Sequence, residues 1–116
     1  MSVPVAAESR TAIALSLPRQ DNNTTTFSYC MEGDSMVQAH IPHGALLIAD
    51  RSVQPQSGMI VVAEVDGKMT VRRLVRTRKL LVLHADNPAY RPMPVTADTQ
   101  LRIHGVVTTI IIRPGS

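Results

Sequence analysis

The sequence predicts a mostly-β domain whose strands wrap into a barrel-like layer. Three observations lead there. At least six short apolar runs recur along the chain between turn signals. No segment sustains an apolar period of 3.6 residues, so no long amphipathic helix is expected. Asp66-Gly67, with apolar runs on both sides, is a strong short-range hairpin signal.

The elements follow in order. Residues 1–25 are rich in Ala, Ser, Thr, Pro and Asn, and read as an N-terminal arm. Within the arm only Ile13 to Leu17 alternates like a strand. The domain proper is expected over residues 26–116. Phe27, Tyr29 and Met31 share one face of a first strand, which Gly33-Asp34-Ser35 breaks. On that strand Cys30 faces the other way and is expected to be buried, as small thiols usually are. A short helical turn is expected near Ser35 to Ala39. Ala45 to Ala49 and Met59 to Val65 are continuous apolar runs, as in buried strands. The hairpin returns along Lys68 to Val75, and Leu80 to His84 follows. Asn87-Pro88, Pro92 and Pro94 mark an irregular stretch. Leu101 to Ile112 closes the chain with a β-branched run.

Composition narrows the function classes. The 116 residues amount to about one domain. Hydrophobic residues make up 44% and charged residues 18%, a globular balance. With aromatics at only 3%, the core must be aliphatic. One cysteine excludes an intrachain disulfide and a multi-cysteine zinc site. No signal segment or long apolar span appears, so no membrane association and a cytoplasmic location are expected. The net charge of +3 is too mild to establish nucleic-acid binding. Arg72, Arg73, Arg76, Arg78 and Lys79 form the densest basic stretch. No aromatic residue interleaves it, and it reads as a solvated strand and turn.

Ser35 follows a strand at a sharp turn. A nucleophilic serine needs such exposure, backbone N–H groups to hold an oxyanion, and a base. His40, His43, His84 and His104 are candidate bases. Ser35 is equally suited to cap a helical turn, and on the tetrapeptide alone that reading is favoured. His40 and His43 with Cys30 lack the spacing of a structural metal site, so neither metal nor cofactor is expected.

Taken together, the motifs resemble the LexA/UmuD family of serine–lysine self-cleaving proteins, processed UmuD above all. Gly33-Asp34-Ser35-Met36 is similar to its nucleophile motif, and His43 to Asp50 to the strand that follows. Gly58 to Gly67 is similar to its central hairpin, and Thr70-Val71-Arg72-Arg73-Leu74 to its Thr-Val-Lys-Lys/Arg-Leu. Asn87 to Pro92 and His104 to Val107 match two later motifs. No single motif is specific, but their collinear order over about residues 26 to 112 is. The resemblance implies a strongly bent, peptidase-like β fold and a homodimer. Ser35 would stand at the nucleophile position, with the backbone N–H groups of Asp34 and Ser35 as oxyanion donors.

Two departures shape the functional expectation. The family's base lysine falls 37 residues after the serine, on Arg72. Arginine stays protonated in proteins and cannot take a proton from Ser35. Lys68 lies roughly 13 Å away along the strand and is a poor substitute. The family cleaves itself at an Ala-Gly or Cys-Gly bond, and this sequence contains neither. The chain therefore looks like an already processed form without room for a helix-turn-helix domain. It is expected to be an inactive-site, UmuD-like accessory subunit of an error-prone translesion polymerase in the SOS response. The expected partners are a second copy, the polymerase catalytic subunit and the recombinase filament on single-stranded DNA. An active serine peptidase and the core of a LexA-like repressor are the alternatives.

Overall fold

The computed structural model describes residues 25–114. The expected strand at Ile13 to Leu17, and nearly all of the arm, lie outside the described residues. Seven strands form one antiparallel sheet: β1 (Thr26–Cys30), β2 (Leu46–Asp50), β3 (Ile60–Val65), β4 (Lys68–Arg76), β5 (Leu81–His84), β6 (Met93–Val95) and β7 (Leu101–Ile111). Their spatial order is β1-β2-β7-β3-β4-β5-β6, so the sheet stays open between β1 and β6. A single 3-10 turn, Val37–Ala39, interrupts the connection from β1 to β2.

The β3–β4 hairpin closes through Asp66 and Gly67, at φ 49° and 88°. Two successive positive φ values give the turn a twist that suits flanking strands, which is why Asp-Gly favours it. β3 then sits between β7 and β4. Its Val61, Val62 and Ala63 are all fully buried. Val62 joins a core with Met31, Met36, Ile41, Ala45, Leu47, Ala49 and Val71. Val61 and Ala63 join a second core with Leu74, Leu83 and Val106. Both faces of β3 are covered, so its sequence runs apolar without alternation. The connection between β1 and β2 covers the first face. The second core draws mainly on the sheet's own strands, so the sheet bends over itself.

The bend has an identifiable source in β7. Its register against β3 shifts between Val62 and Ala63, which pair with Gly105 and Ile103. A second shift lies between Ile48 and Ala49, which pair with Thr109 and Val107. His104 and Thr108 are thus extra residues, and such bulges increase local twist and reverse the side-chain parity. Gly105 is the point of closest approach. A Cβ there would lie 2.8 Å from Cε1 of Phe27 and 3.2 Å from Cβ of Ala49.

Two local expectations are corrected. Cys30 is exposed, because only one face of β1 is covered, and its partner Leu46 on β2 is exposed as well. Phe27, Tyr29 and Met31 take that face, leaving Ser28 and Cys30 to solvent. The Pro-rich stretch contains a strand after all. β6 pairs its Val95, Pro94 and Met93 with β5, at the sheet edge where a proline is tolerated.

Candidate functional site

Ser35 follows directly from the way β1 ends. Gly33 adopts φ 85°, which a residue with a side chain rarely takes. The turn sends Met36 into the first core with no exposed surface, and Ser35 beside it is only 4% exposed. Ser35 does not cap the 3-10 turn. The cap position is Met36, which makes no side-chain capping bond. Asp34 is fastened from outside instead. Asn87 donates from Nδ2 to its carbonyl at 2.8 Å, and Tyr90 donates from its hydroxyl to its carboxylate at 2.8 Å. On the other side the N–H of Gly33 donates to Nδ1 of His43 at 2.9 Å.

Arg72 reaches this turn from β4. Its Nη1 donates to Ser35 Oγ at 2.7 Å and to the Val71 carbonyl at 2.8 Å. The guanidinium carbon lies 5.5 Å from the centre of the Tyr90 ring, within cation–π range. Among the described residues Arg72 has no carboxylate partner. Burial without such a partner lowers its proton affinity from the ordinary value, offset in part by Tyr90. An arginine begins so far above neutrality that it stays a cation. The Tyr90 phenol is raised above its ordinary value, first by its hydrogen bond to Asp34.

A cleft of about 200 Å³ opens here between Tyr29, Met31 and Glu32 on one side and Met69, Thr70, Val71 and Arg72 on the other, with Ser35 and Tyr90 closing it. Lys68, exposed at the start of β4, is not among its walls. None of the four histidines lines it either. His43 holds the Gly33 turn, and His104 meets Glu64 across β7 and β3 at 3.0 Å. Among the described residues the N–H groups of Asp34 and Ser35 donate to no acceptor. The site therefore offers a hydroxyl, a fixed cation and unspent backbone donors. Among the described residues, no group in contact with Ser35 can take a proton.

Of the basic stretch, Arg72 turns to the cleft and Arg73 to Asp86, while Arg76, Arg78 and Lys79 are exposed. Sequence reasoning missed His43, Asn87, Tyr90 and the Arg73–Asp86 pair as supports of the serine turn. His43, Arg73, Asn87 and Tyr90 each fall within a motif of the family resemblance, but the motifs alone did not show what these residues hold. No helix among the described residues is long and apolar enough to cross a membrane.

The bent antiparallel sheet and the serine cleft define the class of protein, a β domain of serine-peptidase type. Comparison with known families agrees: the Peptidase S24-like family model matches residues 2–108, and the chain belongs to that family. Among similar proteins, ImpA of Salmonella typhimurium is 43% identical over 89 residues, which is 76% of this chain and 59% of ImpA. LexA repressor 1 of Xanthomonas campestris is 41% identical over 81 residues, 70% of this chain and 40% of the repressor. SamA of Salmonella typhimurium is 40% identical over 86 residues, 74% of this chain and 59% of SamA. The chain thus spans between 40% and 59% of the length of these relatives. These are LexA/UmuD-type proteins, the family that the motifs resemble.

Proposed function

We propose that this chain is a UmuD-like accessory subunit of an error-prone translesion DNA polymerase, acting in the SOS response in the cytoplasm, with a serine-peptidase site that no longer cleaves. The observation that carries the reading is the 2.7 Å bond from Arg72 to Ser35. A permanent cation stands where the family's base would, so the serine proton has no acceptor there. Removing a general base typically costs about 10²- to 10⁴-fold in rate. The family's self-cleavage, without its base and without an Ala-Gly or Cys-Gly bond in the chain, falls below detection.

A homodimer belongs to the same reading. β7 is flanked by β2 along Val106 to Ile111, but its pairing with β3 ends at Val106. Beyond that point one edge of β7 has no strand partner among the described residues, and Ile110, Ile111 and Ile112 are 37%, 46% and 51% exposed. An apolar edge of this kind is suited to pairing with a second copy. Sedimentation is expected to give a dimer at about 10 µM, and a monomer at several times that concentration would remove this part of the reading.

The deciding experiment is co-purification with the polymerase catalytic subunit, with and without the recombinase filament on damaged single-stranded DNA. A stable complex is expected, and its absence in both conditions would sink the accessory-subunit reading. Incubating the chain with an Ala-Gly peptide across roughly pH 7 to 10 should give no turnover. Turnover that disappears in Ser35→Ala would establish the active-peptidase alternative. The match to LexA repressor 1 favours a second reading, the core of a repressor whose DNA-binding part lies elsewhere. Failure to join the polymerase, together with operator binding by a longer chain, would select it.

A further inference from the structure

We propose that the Ser35 cleft is a receptor for the free C-terminal carboxylate of an extended peptide, with Arg72 as its anchor. This rests on the inactive-site reading, because a cleaving site would release such a product.

The first argument is the donor inventory of Arg72. Of the five N–H donors on a guanidinium, the two on Nη1 go to Ser35 Oγ and the Val71 carbonyl. The donors on Nε and Nη2 meet no acceptor among the described residues. The half-buried charge has no carboxylate partner there either, unlike Arg73 beside it. The Asp34 and Ser35 N–H groups meet no acceptor among the described residues either. Hydrogen bonds from a guanidinium to a carboxylate are charge-assisted and often bidentate, so a carboxylate is the ligand this set suits.

The second argument is the shape of the β4 edge. β3 pairs with β4 from Lys68 to Arg73, and β5 takes the opposite edge only from Arg73 to Arg76. Residues 69–72 therefore keep one edge without a strand partner among the described residues, and all four line the cleft. A peptide that adds to this edge has to stop at Arg72, because β5 occupies the edge beyond. A chain running parallel to β4 ends there on its carboxylate and meets the guanidinium. The reverse direction would bring an ammonium group against the same cation. Backbone pairing selects a peptide over a free anion. Glu32 also lines the cleft, but it is exposed, so solvent weakens its repulsion of the incoming carboxylate.

The test is an NMR titration of the isotopically labelled chain with an N-acetylated tetrapeptide of threonine and valine ending in alanine. The free acid is expected to shift the Ser35 and Arg72 signals with a Kd of about 1 mM or tighter. The same peptide with a C-terminal amide should bind at least about tenfold more weakly. Arg72→Gln should abolish the preference for the acid, and Arg72→Lys should keep part of it. Equal binding of acid and amide, no binding of either, or a preference that survives in Arg72→Gln would overturn the carboxylate site while leaving the inactive-site reading intact. Mass spectrometry of the same samples separates the two. Ser35-dependent hydrolysis of the C-terminal amide to the acid, with release of ammonia, would overturn the inactive-site reading and the receptor with it.

Discussion

Arg72 and Arg73 are neighbours in the chain with the same chemistry, and the fold gives them opposite surroundings. Arg73 meets Asp86 through Nε at 3.2 and 3.1 Å and through Nη2 at 2.6 Å, and its Nη1 donates to the Gly58 carbonyl at 2.7 Å. Its proton is held more firmly than usual, first through the hydrogen bond to Asp86. Asp86 in turn accepts from the N–H of Gln38 through its carbonyl at 2.9 Å, and its own N–H points to Met36 Sδ at 3.3 Å. The Arg73 side therefore ties β4 and the Gly58 turn to the segment that follows Ser35. Arg72 has a hydroxyl, a carbonyl and an aromatic ring for company, but no counter-charge among the described residues. One charge has become structure, and the one beside it meets no counter-charge among the described residues.

The largest expected effect attacks the paired side. Asp86→Ala removes the acceptor of a charge-assisted bond and leaves Arg73 without its carboxylate partner. The chain should lose about 1.5–3 kcal/mol in urea unfolding. Arg72→Met, which replaces an uncompensated cation with an apolar side chain of similar length, should change stability by less than about 1 kcal/mol. Equal losses in the two variants would erase the distinction between the arginines.

A smaller effect tests how the cleft is held. His43→Ala deprives the Gly33 N–H of its acceptor at an exposed position, so a loss of about 0.5–1 kcal/mol is expected. The Ser35 signals should shift in NMR while those around Asp86 stay in place. If the Asp86 signals move as much, the two sides are one unit and the contrast is blunted.

The smallest effect is read by pH. The Tyr90 hydroxyl donates to Asp34, which raises its pKa in the folded chain. A group with a raised folded pKa contributes stability that is fully present below the unfolded value, about 10 for tyrosine. That contribution is lost as pH rises through the higher folded value. Stability should therefore fall above about pH 10, and the slope should be shallower in Tyr90→Phe. The burial-raised Tyr29 adds a slope of the same sign that the Tyr90→Phe variant keeps. A Tyr90→Phe variant with an unchanged alkaline slope would remove Tyr90 as a clasp on the Ser35 turn.

Most strands, the Asp66-Gly67 hairpin and the Gly33-Asp34-Ser35 turn were legible in the sequence, because neighbouring residues specify them. The spacing of 37 residues from Ser35 to Arg72 could also be read there, and with it the doubt about a base. Other features were decided only by the tertiary structure. Asn87 and Tyr90 reach Asp34 across separations of 53 and 56 residues. The bulges at His104 and Thr108 reverse which β7 side chains face each core, so alternation along that strand could not predict burial. Cys30 faces solvent because the core covers only the Phe27, Tyr29 and Met31 face of β1, which depends on how distant segments pack on the sheet. Arg72 and Arg73 part company because β5 and Asp86 lie beside one of them and the cleft beside the other. Local backbone preference writes turns and strands into short stretches of sequence. Which charge finds a partner depends on register and on how the sheet bends, and these emerge from contacts between segments far apart in the chain.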